Sequence, residues 1–281
     1  MRIAVISDLH GNLPALESCL EDMRAAQVDL VINLGDSLSG PLWLEETARV
    51  LRSHDWPTLA GNHERQVLTL ALQDMSAADA ITARAISPDT RQWMGSLPPT
   101  AWLGNDVFAC HGTPTSDLHY LLETVTPDFD QARGSPGIRM ASAEEVQLRL
   151  AGSAAFEART RPAVILCGHS HVPRLMRLPP QHGDAQGTLV LNPGSLGQPA
   201  FDDEHPHSHW VENAAPHARY ALLDHQGEHW SASLRALAYD WAASARRAEQ
   251  MGRGDWADAL RTGRVGRTEA QAIAAQQAPS R

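Results

Sequence analysis

The N-terminal stretch Arg2-Ile3-Ala4-Val5-Ile6-Ser7-Asp8-Leu9-His10-Gly11-Asn12 runs from an apolar segment of strand length straight into acidic and imidazole side chains. Residues 2–7 read as a buried strand, and Asn12 reads as the N-cap of a helix with Pro14 in its first turn and Leu13, Leu16, Leu20 and Met23 at helical spacing. This is a βα unit with its polar residues at the carboxyl end of the strand. The pattern recurs in residues 29–34, which end in Gly35-Asp36 and precede a helical segment at 41–52. A third strand, Pro57-Thr58-Leu59-Ala60, delivers Gly61-Asn62-His63-Glu64. Ligands of open α/β sheets bind outside the carboxyl ends of the strands, so Asp8, His10, Asp36, Asn62 and His63 are expected to converge.

Further along, the Ala-rich residues 69–93 read as helical, and Thr100–Leu103 and Val107–Cys110 flank Gly104-Asn105-Asp106 as a hairpin whose second arm ends at His111. Pro and Gly then mark a cap-like insertion at about 113–141, entered through a short helix at 118–123. Ser142 and Glu145 have capping-box spacing and start a helix to about residue 158. Residues 162–167 form another buried strand, ending in Gly168-His169-Ser170-His171. Strands at Arg174–Arg177 and 188–191 lead to the turn Asn192-Pro193-Gly194-Ser195. A His-rich loop at about 201–217, strands at 219–223 and 229–234, a terminal helix at 240–250 and an Ala/Gln-rich tail complete the chain. With no internal repeat and no linker, residues 1–281 read as a single domain.

The bulk properties narrow the function. The 281 residues are 43% hydrophobic, enough for one large core, and carry a formal net charge of -10 with a pI near 5.7, which argues against a basic face for a nucleic-acid duplex. Cys19, Cys110 and Cys167 lie far apart in apolar contexts and read as reduced core residues, consistent with the cytoplasm. The apolar N-terminal run is too short for a signal peptide or a membrane span. The eight Trp residues form no aromatic stripe that would stack single-stranded nucleic acid.

Five strand ends thus present Asp8 with His10, Asp36, Asn62 with His63, His111, and His169 with His171. Carboxylate, imidazole and one amide oxygen, without Cys, suit divalent transition metals such as Mn, Fe, Co, Ni or Zn better than Ca or Mg. Even with the His63 imidazole left free to move a proton, the seven others exceed the needs of one ion, and two ions sharing a bridging carboxylate would use them.

These motifs, Asp8-x-His10, Gly35-Asp36, Gly61-Asn62-His63-Glu64, His111 and Gly168-His169-x-His171, resemble the five-part signature of the calcineurin-like metallophosphoesterase superfamily. Asn192-Pro193-Gly194-Ser195 is similar to the small prokaryotic branch of YfcE-type phosphodiesterases. The resemblance implies a four-layer α/β/β/α sandwich of two mixed sheets with flanking helices. It implies one ion on Asp8, His10 and His171, another on Asn62, His111 and His169, Asp36 bridging both, and His63 as general acid. In-line attack by a metal-bridging hydroxide is the implied mechanism, with a small phosphodiester, phosphomonoester or nucleotide as substrate.

Departures refine the expectation. Gly35-Asp36 continues as Ser37-Leu38-Ser39-Gly40, so the Arg and the His-pairing Asp of Ser/Thr protein phosphatases are missing here, and Ser39 stands where purple acid phosphatases carry a ligating Tyr. Hydrolysis of dinucleoside polyphosphates or phosphoproteins, and a non-catalytic metal-binding scaffold, remain alternatives. Asp117, His119 and Tyr120 are candidate substrate contacts in the cap-like segment, and Glu64 reads as a favourable charge in the first turn of a helix. The run His205-Pro206-His207-Ser208-His209 reads as a mobile surface insert, with a third metal site or a lid as alternatives. The resemblance is also consistent with a homo-oligomer, for which the terminal helix could supply the interface.

Overall fold

Along the first strand Ile3 and Val5 alternate with Ala4 and Ile6, and the two sets enter different cores. This is the period-two consequence of a strand buried on both faces. The computed structural model describes residues 1–151, 153–157, 161–180, 187–227 and 229–266. In chain order the first half contains β1 (Arg2–Ile6), α1 (Leu13–Ala25), β2 (Leu30–Asn33), α2 (Leu44–Arg52), α3 (Asn62–Thr69), α4 (Ala77–Ala85) and α5 (Pro88–Gly95). Then come β3 (Thr100–Leu103), β4 (Val107–Cys110), β5 (Glu123–Val125), β6 (Ile138–Met140), α6 (Ala143–Leu150) and α7 (Ala154–Glu157). The remainder holds β7 (Val164–Leu166), β8 (Arg174–Arg177), β9 (Leu189–Asn192), β10 (Ala200–Asp203) and β11 (His209–Glu212). It closes with β12 (Ala218–Gln226), β13 (His229–Leu237), α8 (Trp241–Gln250) and α9 (Gly254–Thr262).

One sheet has the order β13-β12-β1-β2, parallel only between β1 and β2, with Ile3 opposite Leu30. The other has the order β3-β4-β7-β9-β8, parallel through β4, β7 and β9 and antiparallel at both edges. Ile3, Val5 and Ile32 of the first sheet meet Val107, Val164, Leu166 and Leu191 of the second in a shared core. Each such aliphatic side chain contributes roughly 1.5–3 kcal/mol on full burial. On the outer faces, Ala4 and Ile6 receive Leu16, Cys19 and Met23 of α1, while Phe108 and Ile165 receive Val146 and Leu150 of α6. The result is the four-layer α/β/β/α sandwich of two mixed sheets with flanking helices. No described helix is long and apolar enough to cross a membrane.

Several local expectations change. The third strand reduces to a one-residue parallel bridge, Thr58 to Asn33, because Asn62 already begins α3. Residues 69–93 split into a short 3₁₀ turn (Leu72–Asp74), α4 and α5, since Ser76 and Ser87 each cap a new helix and Pro88 opens the last. The short helix expected at 118–123 is absent: the segment is irregular and runs into β5, which pairs with β6, and Arg149 and Arg174 donate to the carbonyls of Leu121, Leu122 and Glu123. Ser142 and Glu145 do form the capping box, but α6 ends at Leu150, where Ala151 turns extended, and α7 follows. The His-rich stretch contains an antiparallel hairpin, β10 with β11, in place of an unstructured insert. Beyond α8, residues read as tail fold into α9, which packs Trp256, Ala257 and Leu260 against Ala245 and Ala248 of α8. The rest of that tail, 267–281, lies outside the described residues.

Candidate metal centre and active site

Five acidic or imidazole residues at the strand ends adopt left-handed backbone: Asp8 (φ 55°), His10 (51°), Asp36 (53°), His169 (66°) and His171 (57°). That region is disfavoured for residues with a Cβ, and it persists where the surroundings over-determine it. Here the backbone is cross-tied from loop to loop. Asp8 N donates to Gly35 O at 3.0 Å, His10 N to Asp36 O at 3.0 Å, Gly168 N to His111 O at 2.7 Å and Gly197 N to Asp8 O at 3.0 Å. The loops also approach too closely for side chains between them. A Cβ on Gly61 would lie 2.2 Å from Asp36 Oδ1, and one on Gly168 would lie 2.0 Å from Ser7 Oγ.

These loops assemble two groups of donor atoms. Asp8, His10 and His171 each offer one atom within 4.8 Å of the others, and Asp36, His111 and His169 do the same. In the first group His10 Nε2 is 3.3 Å from His171 Nε2, which is 3.2 Å from Asp8 Oδ1. His10 and His171 donate their Nδ1 hydrogens to the carbonyls of Ser39 (2.7 Å) and Gln198 (2.8 Å), which leaves both Nε2 atoms as acceptors. Asp8 Oδ1 is buried without a hydrogen bond. Three lone pairs therefore face one point, an arrangement a divalent cation satisfies and a proton satisfies poorly. In the second group His111 Nε2 lies 3.0 Å from Asp36 Oδ2 and 3.1 Å from Asn62 Oδ1, and its Nδ1 donates to Leu34 O at 2.9 Å.

Electrostatics prepare these groups. Burial, with the charges of His171 and His63, pushes His10 down to about 3, and burial with His111 pushes His169 down to about 4, so both rings are neutral at physiological pH. Burial alone would lower His111 as well, but the Asp36 carboxylate outweighs it and lifts that ring to about 10. Asp36 itself stays ionised, well below the usual carboxylate range: burial opposes this, and His111 and His63 overcome it.

His63 stands apart from both groups. Its backbone N donates to Asp36 Oδ1 at 3.0 Å, its Nε2 is 4.0 Å from Asp36 Oδ2, and its Nδ1 donates to Asp79 Oδ1 at 2.8 Å. Asp79, from α4, is almost wholly buried and also accepts from Ser39 Oγ (2.8 Å) and Ser76 Oγ (2.9 Å). Burial disfavours the imidazolium of His63, yet Asp36, Asp79 and Glu64 together lift it to about 9. Glu64, buried in the first turn of α3, accepts from the backbone N of Gly61, Asp36 and Ser37 at 2.8–2.9 Å. Besides capping its helix it clamps the Asp36 loop onto it.

A family model described as calcineurin-like phosphoesterase superfamily domain matches residues 1–212. The chain belongs to that superfamily. A metallophosphoesterase from Sphaerobacter thermophilus superposes with a TM-score of 0.67 at 24% identity, covering 94% of this chain and 99% of that one. A hypothetical protein from Pyrococcus horikoshii OT3 superposes at 0.65 and 16% identity, over 93% and 98%. An uncharacterized protein of Methanocaldococcus jannaschii is 26% identical over 213 residues, 70% of this chain and 76% of its own length. Members of the superfamily act on phosphoesters with divalent metals, and this phosphoesterase domain presents two candidate ligand groups for them.

A cleft of about 900 Å³ opens over His10, Asp36, Asn62, His63, His169 and His171. His119 and Tyr120 line it, and the Tyr120 ring stacks at a tilt 4.8 Å from His169 with its hydroxyl 2.9 Å from His209 Nε2. Asp117 is turned elsewhere: Arg65 of α3 holds both its carboxylate oxygens, at 2.6 and 2.8 Å, and it is not among the described residues of the cleft wall. Sequence reasoning missed Asp79, Phe201 and Trp256. Phe201 sits 4.6 Å from the His171 ring and Trp256 is 5.8 Å from the His10 ring. Asp79 carried a signal only as part of the cap Ser76-x-x-Asp79, which says nothing of His63.

Proposed function

We propose that this chain hydrolyses phosphodiester or phosphomonoester bonds of a small molecule or nucleotide with two divalent transition-metal ions. The observation that carries the reading is the pair of donor groups, each drawn within 4.8 Å and each combining carboxylate with imidazole. Asp8, His10 and His171 would hold one ion, and Asn62, His111 and His169 the other, with Asp36 shared. The donor set suits Mn, Fe, Co, Ni or Zn, and availability decides among them. When bound, such ions supply Lewis-acid charge for the phosphoryl oxygens and an activated water for in-line attack.

The chain's own residues do the rest. His63, partly buried on the cleft wall with its Nδ1 hydrogen fixed on Asp79, presents Nε2 to the cleft and donates its proton to the leaving oxygen. Glu64 and the Gly61 approach hold Asp36 and His63 at one spacing. The test is hydrolysis of bis-p-nitrophenyl phosphate and p-nitrophenyl phosphate by metal-stripped protein refilled with Mn, Ni, Co, Zn or Mg. Turnover that requires a transition metal and disappears in Asp36→Asn is the expected result. Full metal occupancy without turnover of either ester would overturn the reading in favour of a scaffold.

A further inference from the structure

The cleft over the ligand groups has a wall chemistry of its own. The chain contains no lysine, so all 23 of its basic side chains are arginines. Among the described residues of the wall the only arginine is Arg149. Its guanidinium is spent on the cap backbone, donating to Leu121 O and Glu123 O at 2.8 Å and to Thr124 Oγ1 at 2.6 Å. The wall also carries three carboxylates outside the ligand groups: Glu123 on β5, and Asp202 and Asp203 on β10. Glu123 is 4% exposed, and neither of its oxygens receives a hydrogen bond of good geometry, although Ser170 stands beside it and Arg174 Nη1 lies 3.9 Å from Oε1. Its oxygens lie beneath the cleft surface, and in the ionised form this buried carboxylate repels a second anion. Burial first, and then Asp203, Glu123 and Asp8, push the Tyr120 hydroxyl up, so Asp203 and Glu123 act electrostatically on the cleft interior from two elements.

We propose that Asp202 and Asp203, joined by Glu123 in its ionised form, make the cleft select ligands with a single phosphoryl group and no further negative charge, and reject polyphosphates and other polyanions. This rests on the hydrolase reading above. Positive charge for one phosphoryl group comes from the ligand groups when loaded and from His63; among the described residues of the outer wall the only arginine is the already bonded Arg149, and His205 Nδ1 lies 3.6 Å from Asp203. The rings of Tyr120, Phe201 and Trp256, each against a ligand imidazole, leave apolar surface for an uncharged or cationic alcohol arm.

Two matched comparisons test this. In the first, calorimetry measures binding of phenylphosphonate and its para-carboxylate to the Mn-loaded protein, so that the ligands differ by one remote charge and no turnover is needed. The carboxylate is expected to bind about tenfold more weakly at low salt, with the gap shrinking as salt rises, as a nearby like charge requires. In the second, Asp202→Asn/Asp203→Asn narrows that ratio several-fold, and it narrows in parallel the kcat/KM ratio between p-nitrophenyl esters of thymidine 5′-phosphate with and without a 3′-phosphate. Equal affinities for the two phosphonates, or a ratio unmoved by the double variant, would overturn the proposal. Loss of turnover with every ester while the binding ratio persists would sink the hydrolase reading and leave the charge selection standing.

Discussion

Asp79 Oδ1 lies 2.8 Å from His63 Nδ1, and the two residues reach each other from separate helices, α4 and α3. An ionised carboxylate only accepts, so the hydrogen is on Nδ1 and Nε2 is the atom turned toward the cleft. The motif that supplies such an Asp in protein phosphatases is missing after Gly35-Asp36, yet a different segment of the chain provides one.

The first prediction concerns that pair. Asp79→Asn should lower kcat by about 10–100-fold on alkyl phosphodiesters and far less on p-nitrophenyl esters, whose leaving group needs little protonation, with metal content unchanged. His63 acts as the protonated form, so activity should decline as pH rises past its pKa, and removing the Asp79 charge should move that decline to lower pH. A pH–rate profile for both leaving groups checks it. Equal losses on both, with no displacement of the alkaline limb, would reduce Asp79 to a packing role.

Metal loading should release protons. His111 is lifted to about 10 by Asp36 and is therefore protonated at neutral pH, so a cation must displace that proton to reach Nε2. Calorimetric titration with Zn or Mn in two buffers of different ionisation enthalpy should report proton release near pH 7. Affinity should fall as pH is lowered further, and Asp36→Asn should lose metal outright by elemental analysis.

Gly61→Ala should damage the candidate centre without replacing any of its donor residues. Its new Cβ would meet Asp36 Oδ1 at 2.2 Å and Cγ at 2.8 Å, so either the Asp36 loop or α3 must move. Overpacking of this kind costs about 1–3 kcal/mol. A lowered melting temperature together with weakened metal binding is the expected outcome, and a variant with wild-type values on both would show that the loop yields freely.

Glu123 sets a pH dependence of stability. Burial raises its carboxyl from 4.5 to about 7, an effect that Ser170, Arg174 and Arg149 reduce without cancelling. Between those values the native state binds more protons than the unfolded state, so stability falls as pH rises from about 4.5 to 7. A tenfold change in an acid dissociation constant is worth about 1.4 kcal/mol, which puts the full cost on the order of 3 kcal/mol. Glu123→Gln should therefore melt higher than wild type at pH 8 and match it near pH 4.5. A variant less stable at pH 8 would assign the carboxylate a net stabilising pairing with Arg174.

How much of this was legible in sequence follows from how local each cause is. The strand and helix of the first βα unit, the hairpin around Gly104 and the capping box at Ser142 rest on interactions within a few residues, and they stand as read. The candidate ligand groups were legible in outline because parallel pairing puts the ends of β1 and β2 on one side of their sheet and those of β4 and β7 on one side of theirs, while the packing of the two sheets brings the two sets together. Boundaries failed where a cap competed with a longer pattern, as at Ser76 and Ser87, which divided one apparent helix.

What the residue order fixed by itself, then, is the alternation that buries Ile3 and Val5 on one face and Ala4 and Ile6 on the other, and the placement of Asp8, His10, Asp36, His169 and His171 at strand ends. Only the tertiary structure decided which residues complete the site. Asp79 reaches His63 across 16 positions of chain, Trp256 reaches His10 from a helix that read as tail, and Asp117 is drawn away to Arg65. Those contacts depend on how α3, α4, α9 and the cap pack together, and no periodicity of a single segment encodes the packing of one element against another.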